Sequence, residues 1–194
     1  MSMTRPMRVT AKYIGQIGFG AKAAIGVIIA AKFLVPFTLI RFPFFGGWAN
    51  FVLDTVDGDL LVPLGLDDPT YQPIDKVADW VTYVFMVIAA KKGNWPIFKW
   101  IVGLFVLRSI GQTIFLITAD EFVFFLFPNF LEPLFLVYAT ILFFKKVDAP
   151  AVFMKWRIPI AILIFIYKMQ DEYITHVGNI DRSDLISETF GRFF

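Results

Sequence analysis

Seven aspartates crowd residues 51–80 of a chain that is otherwise rich in phenylalanine and aliphatic side chains. Four of them are spaced for chemistry. Asp54 and Asp57 stand three apart and Asp75 and Asp79 four apart, so each pair shares one face of a helix. Gly58, with Pro63 and Gly65 beyond it, lets the chain leave one helix and return along the next. Where two such helices meet at a membrane surface, four carboxylates converge. Close carboxylates repel unless a hard divalent cation such as magnesium, manganese or calcium neutralises them. A pair of such ions would also clamp a phosphate or pyrophosphate. The competing reading is a solvated acidic loop.

The elements that must position these residues are apolar. Of 194 residues, 58% are hydrophobic and 24 are phenylalanine, above the roughly half that soluble domains use. Spans of about 20 apolar residues predict an all-α, polytopic, multi-pass bundle forming a single integral membrane domain over 1–194. The runs are continuous rather than alternating, which excludes a β-barrel. With no cysteine, disulfides, thiol nucleophiles and thiolate metal sites are excluded. A basic N-terminal segment, 1–13, precedes an apolar stretch over 14–40, too long for a cleaved signal. Its Lys22 and Lys32 are expected to snorkel to the interfaces. Residues 42–56 read as a short span or a half-inserted helix, 75–90 as a helix, and 95–117 and 122–144 as spans. A basic connector covers 145–157, a last span opens at 158, and 168–194 is a polar C-terminal tail. This predicts six helices, or five if 42–56 does not cross.

Charge is nearly balanced at +2 and gives no reason to expect a nucleic-acid partner. Its placement is informative. Lysine and arginine gather at 1–13, 91–99 and 145–157, whereas acids gather at 54–79, 118–121 and the tail. A five-helix chain puts every basic segment in the cytoplasm, and a six-helix chain puts the N-terminus on the aspartate side with the two basic loops opposite. Inside the predicted spans, Arg108 and Glu132 fall at similar depth on antiparallel neighbours. Ionisable residues there are costly, of order 2.5–3.5 kcal/mol, and are functional candidates. An Arg108–Glu132 ion pair locking two helices is the structural alternative, with Gln112 in the same polar seam. His176 stands alone in the tail and reads as a surface residue. Gly15, Gly18 and Gly20 lack the company of a phosphate loop and read as helix-packing residues. The five tryptophans sit near predicted span ends as interfacial anchors.

The spacing Asp54-Thr55-Val56-Asp57-Gly58, followed by Asp75 and Asp79 at the required distance, resembles the signature of the CDP-alcohol phosphatidyltransferases, six-helix membrane enzymes. Leu61 and Val62 stand where that signature has Ala-Arg, and Tyr71 where it has a second glycine. The resemblance implies transfer of a phosphoalcohol from a CDP-linked donor to an acceptor alcohol in lipid synthesis, with magnesium or manganese as cofactor. It implies metal ligation by Asp54, Asp57, Asp75 and Asp79, with Asp79 also the catalytic base. Gly58 and Arg108 are then the substrate-binding candidates, Arg41 being another source for the missing arginine. Its partners would be membrane lipid and a homodimer or larger membrane complex. The alternative is a non-catalytic membrane subunit or scaffold with an acidic face for a partner or cation.

Overall fold

A computed structural model of the chain describes residues 18–178. Among them there is no strand, and six long helices follow one another. These are α1 (Phe19–Leu34), α2 (Pro43–Leu61), α3 (Asp68–Lys92), α4 (Phe98–Thr118), α5 (Leu131–Lys145) and α6 (Ala149–Glu172). A 3-10 stretch, Val35–Ile40, extends α1, and a short helix, Phe122–Leu126, precedes α5. Three segments are long and apolar enough to cross a membrane: Phe19–Ile40, Phe98–Thr118 and Leu131–Thr175, the last taking in both α5 and α6. Residues 43–56 lie within a helix of 19 residues, which gives the six helices, although this helix is not one of the three segments long and apolar enough to cross. Residues 1–13, Gly15 and the tail from 179 onward lie outside the described residues, as does the side chain of His176.

Prolines set several boundaries. Pro43 opens α2 at its first position, where the missing N–H costs nothing. Pro128 breaks the span expected over 122–144, and α5 begins only at Leu131, because a proline ring clashes with the preceding turn of a continuing helix. Pro133 falls in the first turn of α5 and is tolerated there. The expected basic connector shrinks to a 3-10 turn at Lys146–Asp148, with α6 already under way at Ala149. Lys168 to Glu172 form the last turn of α6 rather than the start of a tail.

The helices run up and down, so their turns collect at two ends. At one end Gln72 Nε2 donates to Glu121 Oε1 at 2.8 Å; at the other, Phe44 stacks on Phe143 with centroids 4.3 Å apart. The core lies among α3, α4, α5 and α6, where Tyr83, Met86, Ile101, Phe135, Tyr138 and Phe153 are buried. Trp95 belongs to that core, 4% exposed and packed on Phe135 and Tyr138, so it is not an interfacial anchor. Among the described residues, Gly18 and Gly20 meet no neighbour within 4 Å and do not serve close packing there. Gly46 does: a side-chain carbon there would lie 2.5 Å from Thr38 Oγ1 and 2.9 Å from the Leu39 backbone nitrogen.

Candidate cation site and buried polar network

Asp54 and Asp57 project from one face of α2, and Asp75 and Asp79 from one face of α3. The turn over 62–67 returns the chain so that both faces meet. Oxygens of Asp54, Asp57 and Asp75 lie within 4.8 Å of one another. Asp57 is wholly buried and Asp75 and Asp79 nearly so, while the Asp54 side chain is 40% exposed. Three of the four aspartates therefore have oxygens close together, and Asp79 stands outside that group, linked to it through Lys76.

The countercharge comes from within the chain. Lys32, on α1, is 6% exposed and does not snorkel to an interface. Its Nζ donates to Asp54 Oδ1 at 3.1 Å and, more closely, to Asp57 Oδ2 and Asp75 Oδ1. Lys76 Nζ donates to Asp75 Oδ2 at 2.7 Å and lies 3.6 Å from Asp79 Oδ2. Burying so much charge is tolerable because each carboxylate faces an ammonium group, and Asp54, Asp57 and Asp75 are hydrogen-bonded to one. Asp57 Oδ1 also accepts from the Gly58 backbone N–H at 2.9 Å and from Tyr71 Oη at 3.0 Å. Tyr71 fills the space that Gly58 leaves, its Oη being 3.3 Å from where a side-chain carbon at 58 would stand.

A second buried network adjoins this one. Arg108 does not pair with Glu132: its Nη1 lies 3.5 Å from Glu172 Oε1 and donates to the Phe127 carbonyl at 3.0 Å. The reason is the break at Pro128, which frees that carbonyl and sends the Asn129 backbone N–H to Glu172 Oε1 at 2.9 Å. Irregular backbone at such a place is stable when protein groups satisfy it. Phe124 covers the guanidinium at 4.4 Å, a cation–π contact. Arg108 Nε and Gln112 Oε1 are buried without a hydrogen-bond partner, while Gln112 Nε2 donates to the Lys76 carbonyl at 3.2 Å. Asn129 Nδ2 donates to Tyr83 Oη at 2.8 Å and to Glu132 Oε2 at 3.2 Å.

Compared with known proteins, the chain matches no family model, no curated protein and no solved structure.

Between the two networks lies a polar cavity of about 10 Å³, lined by Lys32, Asp54, Asp79, Thr82, Tyr83 and Glu132 among others. That is room for about one water. Five participants were not singled out as site residues from the sequence: Lys32, Lys76, Asn129, Glu172 and Lys168, whose Nζ lies 3.7 Å from Glu172 Oε1. Only Lys32 carried a signal, a charge in the middle of an apolar run, which by the cost of burying it in a bilayer marks a candidate. Lys76 and Glu172 each adjoin an aspartate and read as part of a polar stretch.

Proposed function

We propose that the chain is a multi-pass integral membrane protein that binds a divalent cation at Asp54, Asp57 and Asp75. Its reaction is transfer of a phosphoalcohol from a CDP-linked donor to an acceptor alcohol. The observation that carries this reading is the meeting of three carboxylates around one cationic group, with Asp79 one helical turn beyond Asp75. The donor set is entirely carboxylate oxygen, which suits magnesium or manganese. Four carboxylates against two ammonium groups leave two negative charges in excess, the charge a divalent ion would balance. When bound, the ion would offset the charge of the donor's diphosphate. Asp79, 3.6 Å from Lys76, is the group to accept the acceptor's hydroxyl proton. Lys32 bridges Asp57 and Asp75.

Two observations favour a second reading, a non-catalytic subunit whose acidic end meets a partner: Lys32 already neutralises the triad, and the adjoining cavity of about 10 Å³ admits no nucleotide. Manganese titration of purified protein, followed by electron paramagnetic resonance of the free ion, separates the two. One saturable site, lost together with CDP-dependent transfer in Asp75→Asn, is expected. Indifference to divalent ions with a stably co-purifying partner would replace the transferase by the subunit.

A further inference from the structure

The small polar cavity between the two networks is lined by oxygens that accept hydrogen bonds and by few donors free to meet them. α2 contributes Asn50 and Asp54, α3 Asp79, Thr82 and Tyr83, α5 Glu132 and α1 Lys32. Asn50 stands one turn before Asp54, and Thr82 and Tyr83 one turn after Asp79, so the lining continues both aspartate faces deeper into the bundle. An ammonium has three hydrogens, and those of Lys32 face Asp54, Asp57 and Asp75. Asn50 Nδ2 donates to the Gly46 carbonyl at 2.8 Å, and the Thr82 hydroxyl donates to Asn50 Oδ1 at 3.2 Å. The Tyr83 hydroxyl, which accepts from Asn129, has one hydrogen to give.

Two carboxylates in this lining are short of partners. Glu132 and Asp79 are each 8% exposed. Among the described residues, Glu132 receives one side-chain hydrogen bond, from Asn129 to Oε2, and Oε1 receives none. Asp79 receives none on either oxygen, the Lys76 ammonium standing off at 3.6 Å. Buried carboxylate oxygen without a donor or a countercharge is costly. Asp54, Asp57, Asp75, Asp79 and Glu132 share the ammonium groups of Lys32 and Lys76, while Arg108 and Lys168 are held by Glu172 and Asp171. Even a divalent ion at the triad would leave one negative charge unbalanced beside this cavity. We infer that the cavity binds one bare sodium ion, held by Asp79, Glu132 Oε1, Asn50 Oδ1 and the Thr82 hydroxyl oxygen. Room for about one water excludes a hydrated ion, so the ligands are protein oxygens, the kind that hard cations take. Carboxylates are strong-field ligands and favour sodium over the larger potassium. A water would bring donors but no charge. The site stands whether or not the triad holds a divalent ion.

The test follows thermal unfolding of full-length protein in detergent as sodium replaces choline at constant ionic strength, with divalent ions removed by EDTA. Tm should rise with sodium, as for a ligand that binds only the folded state. Potassium should need at least about tenfold higher concentration for the same rise. In choline alone Glu132→Gln should unfold close to the native protein, and in sodium it should show no rise. Thr82→Val, which removes one neutral ligand, should shift the response to higher sodium without abolishing it. Asp148→Asn, at an exposed acid of the opposite end, should keep the full response. Sodium no better than potassium or choline would mean that the cavity holds a water, or Glu132 a proton, and would overturn the site. A sodium response that survives Glu132→Gln would overturn the ligand assignment. Absence of manganese binding with the sodium response intact would remove the divalent triad and leave this site standing.

Discussion

At the scale of single residues, function turns on which charges have partners. Lys32 touches three carboxylates, so Lys32→Met leaves buried Asp57 and Asp75 short of countercharge. Breaking such a buried set costs about 3–5 kcal/mol, read as a large drop in Tm. If the triad is a cation site, manganese restores much of that Tm and binds the variant more tightly than the native protein, because its ammonium competitor is gone. A variant that manganese cannot rescue argues for a purely structural lysine. Glu132 and Glu172 differ in the same respect. Glu172 holds Arg108 and the Asn129 N–H, whereas Glu132 has no ion pair within 4 Å among the described residues. Glu172→Gln should therefore lower Tm clearly and Glu132→Gln little, the reverse of what an Arg108–Glu132 pair requires. Equal losses measured by thermal unfolding would reinstate that pair.

At the scale of elements, the polar sites depend on how closely helices approach and where they break. α2 can lie against the 3-10 extension of α1 because residue 46 has no side chain, and this contact sets the height at which Lys32 meets Asp54 and Asp57. An added methyl at 46 would press on backbone at 2.9 Å, which cannot swing aside. Gly46→Ala is expected to destabilise by about 1–3 kcal/mol. Gly103→Ala, where nothing lies within 4 Å, should be neutral or stabilise by up to about 1 kcal/mol through helix propensity. Thermal unfolding of the two single variants checks both, and a neutral Gly46→Ala would mean that the α1–α2 contact is not tight. The helices expected over 42–56, 75–90 and 95–117 are found at Pro43–Leu61, Asp68–Lys92 and Phe98–Thr118, so their existence was legible from hydropathy and turn residues and their ends were not. Nor was the break at Pro128, because proline near a helix start and proline within a span look alike until the turn between them is placed.

At the scale of the whole molecule, the up-and-down order puts Arg41, Lys91, Lys92, Lys145 and Lys146 at one end and the aspartate turn at the other. Taken alone, that asymmetry would turn the basic end towards the cytoplasm. The proposed transfer requires the opposite, since the resemblance implies a cytoplasmic CDP-linked donor. This chain has no cysteine, so Pro63→Cys in the exposed turn offers a single label site. Protection from a membrane-impermeant maleimide in intact cells, relieved when the membrane is opened, is the outcome expected of the transferase. Labelling from outside would put the carboxylates beyond reach of such donors and favour the subunit reading. The helix order itself places all four aspartates, Glu132 and Glu172 towards the same end, which lets two networks distant in sequence share one cavity.

Hydropathy alone determined that this chain is helical and apolar enough to cross a membrane, because burial in lipid demands long uninterrupted runs whatever their packing. Spacing alone determined that Asp54 with Asp57, and Asp75 with Asp79, would share helix faces, since that follows from 3.6 residues per turn. Which charge neutralises which was decided only by the tertiary structure. Lys32 is 22 residues from Asp54 and 43 from Asp75, and Arg108 chooses Glu172 over Glu132 through a carbonyl and an N–H that a broken helix exposes. Pairing of buried charges depends on ångström-scale approach between helices, and no periodicity within one helix encodes the distance to another.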